Sequence, residues 1–249
     1  MKRTLKVLSA LLSYPTESMQ AAVPEMRAAL DADGLLPRKS RDRLDRVIDE
    51  IAGGDIYDLQ ERYVLLFDRT RSLSLHLFEH VHGESRDRGQ AMVDLKSLYE
   101  RHGLAMSSSD LPDYLPLFLE FLSEIPEAEA RDLIEDTAHI LEAIRLRLKR
   151  RKVAYSSIFS CLKELAQLPS QPQVEAALAA ETDENPEDLE ALDAVWAEEE
   201  VRFSGASDPA ACGKDGLAAR LRAGARPAPG IERPAPRRPV VTHRQSNRA

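Results

Sequence analysis

The chain has 249 residues, 43% of them hydrophobic and 5% aromatic, so it can form one or two domains whose core is drawn mainly from Leu, Ile, Val and Ala. That palette suits packed helices better than a β-sandwich. No run of about 18 apolar residues occurs, so no transmembrane helix is expected, and the net charge of -8 conceals a split. From Ser204 onward nine Lys/Arg and three Asp/Glu give about +6, which leaves -14 for the preceding part. An acidic body argues against a nucleic-acid-binding surface and for a basic partner. Cys161 and Cys212 are too few and too far apart for a disulfide scaffold or a cysteine zinc site, and they fit a reducing compartment.

Lys2, Arg3 and Lys6 precede the apolar run Val7 to Leu12, but Ser9 interrupts it and no small-residue cleavage site follows. The segment therefore reads as the first amphipathic helix of a cytoplasmic protein. Leu5, Leu8, Leu11 and Leu12 recur at helical spacing up to Pro15, which predicts a helix over Lys2 to Ser13. Thr16 or Ser18 caps the next helix, with Val23, Met26 and Leu30 on one face, Pro24 as a kink or restart, and Gly34 at its end. Ser40 is the expected cap of a third helix carrying Leu44, Val47, Ile48 and Ile51 as far as Gly53-Gly54. Asp55 caps a fourth, in which Ile56, Leu59, Tyr63, Leu66 and Phe67 share the core-facing side.

Ser72 to Val81 alternates like a strand, yet Leu73, Leu77 and Val81 also fit a helix. A helix is predicted because no second strand-like run offers a partner. Gly83 to Gly89 reads as a loop, and Gln90 to His102 as a helix ended by Gly103. After the polar linker Ser107 to Asp113, Asp110 and Asp113 stand as acidic caps before Pro112 and Pro116, and Leu115, Phe118, Leu119 and Leu122 form a helix. One long helix is expected over Glu127 to Arg150 and another over Tyr155 to Leu168, with Pro169 and Pro172 ending the compact part. The chain thus divides into a helical domain at 1–169, an acidic segment at 170–203 with a short helix through Leu189, Leu192, Val195 and Trp196, and a basic Pro/Ala/Arg-rich tail at 204–249. The tail has almost no large apolar side chain and is expected to be disordered.

His76-Leu77-Phe78-Glu79-His80 matches H-x-x-E-H, in which two histidines one helical turn apart bind zinc and the glutamate serves as general base. A catalytic zinc needs a third protein ligand, and no downstream segment singles one out; His82 stands beside Gly83, where a turn is more natural. The motif is therefore read as structural histidines at the edge of a groove. The mixed charges Asp68, Glu79, Glu84 and Asp87 beside Arg69, Arg71, Arg86 and Arg88 read as a solvated, salt-bridged surface. Glu120 and Glu124, one turn apart, could receive a basic peptide or simply face solvent. No Walker loop, dinucleotide fingerprint, Ser-His-Asp order or C-x-x-C pair is present.

Three blocks carry a resemblance: Tyr63-Val64-Leu65-Leu66-Phe67-Asp68, Ser74 through Gly83, and Ser85-Arg86-Asp87-Arg88-Gly89-Gln90-Ala91-Met92. Together they resemble the signature of the NarJ-type nitrate reductase assembly chaperones, and the Y-x-x-L-F core is shared with the wider TorD and DmsD class of redox-enzyme maturation proteins. Asp113-Tyr114-Leu115-Pro116, Glu120-Phe121-Leu122 and Trp196 through Phe203 agree, so the likeness spans about residues 3 to 203. The resemblance implies an all-α, single-domain helical bundle that is not an enzyme and holds no cofactor or metal of its own. It implies binding to the N-terminal peptide of the respiratory nitrate reductase catalytic (alpha) subunit in the cytoplasm. The subunit would be held open for molybdenum cofactor insertion, its docking to the membrane anchor delayed, with transient contact to cofactor delivery proteins and no stable membrane association.

On that reading Tyr63, Phe67, Leu77 and Tyr114 are the expected apolar anchors for the peptide, and Glu79, Asp87, Glu120 and Glu124 the matching negative field. Asp68, His76, His80, His82, Arg86 and Arg88 complete the expected wall. A zinc-dependent hydrolase and a helical adaptor for another redox enzyme are the alternatives.

Overall fold

In a computed structural model the described residues are 1–82, 86–106, 110–180 and 238–240. Helix α1 (Lys2–Leu11) places Leu5, Leu8 and Leu11 in the core with no exposure, as their spacing requires, and Leu12 follows them. Pro24 marks a restart rather than a kink: α2 (Glu17–Ala21) ends at Ala22, and α3 (Val23–Asp33) begins with the proline in its first turn, where a missing N–H costs nothing. Gly34, at φ 59°, closes α3 in the left-handed conformation. The Thr16 hydroxyl accepts from the Met19 amide at 3.1 Å and caps α2. Thr16→Ala is expected to cost about 1 kcal/mol, read as a lowered urea midpoint at unchanged m-value.

Helix α4 (Arg38–Gly53) is capped at Pro37, three residues before the expected cap, and Ser40 lies inside it. Buried there, the Ser40 hydroxyl donates to Glu164 at 2.6 Å and ties α4 to α11 (Ser156–Leu165). Asp55 does cap α5 (Ile56–Tyr63), accepting from the Tyr57 amide at 2.9 Å. The helix then widens into a π turn over Val64–Asp68, closed by the Arg69 amide on the Val64 carbonyl at 2.9 Å.

The predicted helix over Ser72 to Val81 is mostly absent. A 3₁₀ turn (Arg71–Leu73) leads into extended chain, and only α6 (Glu79–His82) is helical. The partner that the local sequence does not offer comes from residues 111–115: His76 and Tyr114 form an antiparallel bridge, the Leu77 amide donates to the Asp113 carbonyl at 3.1 Å, and the Leu115 amide donates to Leu75 at 2.8 Å. The buried Leu75 and Leu77 on either side of the half-buried His76 therefore follow a strand pattern.

Helix α7 (Arg86–Arg101) begins inside the segment expected to be a loop. Gly103, at φ 74°, turns the chain into β1 (Leu104–Met106), which pairs in parallel with β2 (Arg238–Val240). That strand is the one described part of the tail expected to be disordered; the remainder of the tail and the acidic segment from residue 181 on, with the short helix expected through Trp196, lie outside the described residues.

Helix α8 (Leu115–Leu122) is buried on nearly every side and packs against α1. The long helix expected over Glu127 to Arg150 is two, α9 (Glu127–Asp136) and α10 (Ala138–Arg150). They part at Thr137, which is fully buried and whose hydroxyl donates back to the Ile134 carbonyl at 2.9 Å in place of helix propagation. Helix α10 packs on α11, and Glu142, 3% exposed, holds Arg145 of its own helix at 2.7 Å and joins the two helices through Lys163 at 3.1 Å. Pro172 does not end the packed body: α12 (Pro172–Ala180) lies against α10 and buries Leu178. All of this makes an all-α body around one contiguous core. Among the described residues no helix is long and apolar enough to cross a membrane.

Candidate peptide-binding site

The structure brings Tyr63, Phe67, His76 and Tyr114 together, but mostly on the inner side of the wall they were expected to line. Tyr63 and Phe67 are 3% and 4% exposed, their rings 5.0 Å apart, and Phe67 packs on Tyr155 at 5.2 Å. Leu77 is also buried. The Tyr63 hydroxyl donates to the Leu12 carbonyl at 2.9 Å and shares a hydrogen bond with the Tyr114 hydroxyl at 2.9 Å. Burial, and then Tyr114, hold the Tyr63 phenol well above its ordinary pKa, so it remains a neutral bridge. These side chains shape the wall from behind and offer little face to a ligand.

His76 and His80 have separate tasks. The His76 ring lies 5.3 Å from that of Tyr114, and its Nδ1 meets the fully buried Asp113 carboxylate at 3.3 Å. Burial lowers the His76 pKa, but the Asp113 hydrogen bond and charge outweigh it and the net direction is upward. The other Asp113 oxygen accepts from the Phe78 amide at 3.1 Å. Asp113, expected as a helix cap, instead clasps two extended segments; α8 is capped at Tyr114 with no side-chain bond. The Nε2 of His80 donates to the Ser74 carbonyl at 2.8 Å, since a carbonyl can only accept, and burial lowers the His80 pKa so that the ring is neutral. His76 precedes α6 while His80 lies within it, so the two do not stand one helical turn apart as H-x-x-E-H requires.

The expected negative field is largely spent within the fold. Arg88 pairs with Glu79 at 3.1 Å, and Lys2 and Lys6 hold Glu124 at 2.8 and 2.7 Å. Burial raises the Glu79 carboxyl, yet the Ser74 hydroxyl, His76 and Arg88 bring it below its ordinary value. Glu120 is half-buried on α8, and Asp68 is exposed at the end of the π turn. The side chains of His82, Arg86 and Asp87 lie outside the described residues.

The opening lies on the outer side of the same helix. A groove of about 210 Å3 is lined by Tyr14, Gln60, Glu61, Val64, Leu65 and Arg69. Tyr14 stands edge-on to Tyr63 at 5.5 Å, and Gln60 donates to the Pro15 carbonyl at 2.9 Å, which holds the chain after α1 beside α5. Tyr57, 77% exposed, lies one turn before Glu61. None of these lining residues is among the expected ones, which in this segment are Tyr63, Phe67 and Asp68. A signal was present: Val64-Leu65-Leu66-Phe67 has more consecutive apolar residues than one helix face can bury.

Fold and site together define an all-helical protein with an open groove whose apolar residues are bordered by charge. The chain belongs to the nitrate reductase delta subunit family, whose sequence profile matches residues 15–160. NarJ of Escherichia coli strain K12, a nitrate reductase molybdenum cofactor assembly chaperone, is 43% identical over 201 residues, covering 80% of this chain and 84% of that protein. NarW of the same strain is 39% identical over 201 residues, covering 80% and 83%. Among solved structures, one described as a redox enzyme maturation protein from Archaeoglobus fulgidus is 22% identical, covers 67% of this chain and 94% of its own, and has a TM-score of 0.49.

Proposed function

We propose that this protein is a maturation chaperone for a respiratory nitrate reductase and acts without turnover in the cytoplasm. It binds the N-terminal peptide of the catalytic subunit, keeps the subunit open for molybdenum cofactor insertion, and delays membrane docking until the enzyme is complete. The observation that carries the peptide-binding part is the groove on the outer side of α5. It presents Tyr14, Val64 and Leu65 to solvent within a rim of Gln60, Glu61 and Arg69, the combination of apolar floor and polar edge that receives an amphipathic helix. Family membership and the name of the E. coli relative supply the client. The acidic body agrees with a partly basic partner.

Calorimetric titration of a synthetic peptide, the N-terminal residues of the catalytic subunit from the same organism, is expected to show saturable binding. Leu65→Asp should weaken it by about tenfold or more, as loss of a central apolar contact does. If the intact chain does not bind that peptide, the reading fails.

A further inference from the structure

Resting on the peptide-binding reading, we infer that the groove selects the direction of its ligand: Glu61 receives a cationic side chain and Arg69 a carboxylate two helical turns away. The segment that binds therefore carries a basic and an acidic residue seven or eight positions apart on one face, with apolar residues between them.

Both charges line the groove, at opposite ends of the Val64 and Leu65 floor, and both are exposed. Among the described residues neither takes part in an ion pair. Other charges of the body behave differently: Arg62, next to Glu61, is held by Glu50 at 3.1 Å, and elsewhere Glu79 is held by Arg88 and Glu124 by two lysines. Two opposite charges left unmatched beside an apolar floor match a ligand with the reverse order of charges.

The backbone explains why these two positions cooperate. An α-helix returns to the same face after about 7.2 residues, so residues 61 and 69 would ordinarily be out of line. The π turn over Val64–Asp68 holds one residue more than an α turn, bonding Arg69 to Val64 across five positions. Two turns then take about eight residues, the separation of Glu61 and Arg69, and the charges fall on one line on the order of 12 Å apart. A bound helix with ordinary geometry meets both with residues seven or eight apart.

The test uses the full chain and the catalytic-subunit peptide described above, with a copy in which its basic and acidic residues at that spacing are exchanged. Glu61→Lys and Arg69→Glu should each weaken the native peptide by about three- to tenfold at low salt, an effect that shrinks in 0.5 M salt. The double variant Glu61→Lys/Arg69→Glu should bind the exchanged peptide within about threefold of the original pair. Both positions are exposed, so unchanged thermal midpoints will show that the fold is intact. If the native peptide binds but neither reversal changes its affinity, or if the exchanged peptide is not rescued, the inference falls and the groove reading stands. A peptide without that charge pair that nonetheless binds as tightly overturns it equally. Absence of any binding to the unaltered chain removes both.

Discussion

Phe121→Ala is expected to lower the free energy of unfolding by about 4 kcal/mol, the largest single effect we foresee. Phe121 has no exposure and sits where three rings meet: Tyr99 at 4.4 Å, His102 at 5.6 Å and Phe118 at 6.5 Å. Its helix, α8, is surrounded, with Leu115, Leu117, Phe118, Leu119 and Leu122 all buried beside it. Nothing nearby is free to relax into the space, and Tyr99 is further fixed by its hydroxyl, which donates to the Pro112 carbonyl at 2.7 Å. For a body of this size the loss corresponds to a fall in Tm of about 8 to 16 °C. Phe121→Leu should cost less than half as much. A calorimetric scan in which the alanine variant melts within a few degrees of the original would show that α8 is not the centre of the core.

Asp113→Ala should cost about 2 to 4 kcal/mol for a different reason. The carboxylate has no exposure and accepts from the Phe78 amide and from His76; without it the buried Phe78 N–H has no acceptor. Asp113→Asn keeps an acceptor for that amide and should cost less, but it removes the charge that raises the His76 pKa. The sign of the pH dependence follows. A histidine whose folded pKa lies above its unfolded value of about 6.5 contributes fully below that pH, and the contribution is lost as pH rises through the folded value. Stability measured by urea should therefore decline for the original protein above pH 6.5 and change less for Asp113→Asn. Equal pH profiles for the two would remove Asp113 as the cause.

Most helices were legible because their signals are local. Leu5, Leu8, Leu11 and Leu12 show a helical stripe within eight residues, Gly34 supplies the left-handed stop, and Asp55 reaches its own first turn. What the chain hid depends on distant residues. Whether Ser72 to Val81 becomes strand or helix was decided by the segment around Asp113, and Ser40 is a buried donor because Glu164 arrives from α11. Thr137 could be seen in the sequence, but its power to divide a helix depends on burial that removes water as the alternative partner. The candidate groove was half legible: helical spacing puts Tyr63 and Phe67 on the core-facing side, where they lie buried, and so leaves the open face to Val64, Leu65 and the charges beside them.

The extra residue in the Val64–Asp68 turn makes this helix sensitive to length as well as to composition. Deleting one residue there would restore the ordinary period and rotate everything downstream by about 100° relative to α5. Thr70, whose hydroxyl now donates to the Leu65 carbonyl at 2.9 Å, would turn away from that acceptor, and the chain entering the Asp113 clasp would leave in a new direction. Every groove-lining side chain could be retained and the groove still be lost. In this protein an insertion or deletion of one residue is a more drastic change than most substitutions, and scanning mutagenesis alone would not reveal it.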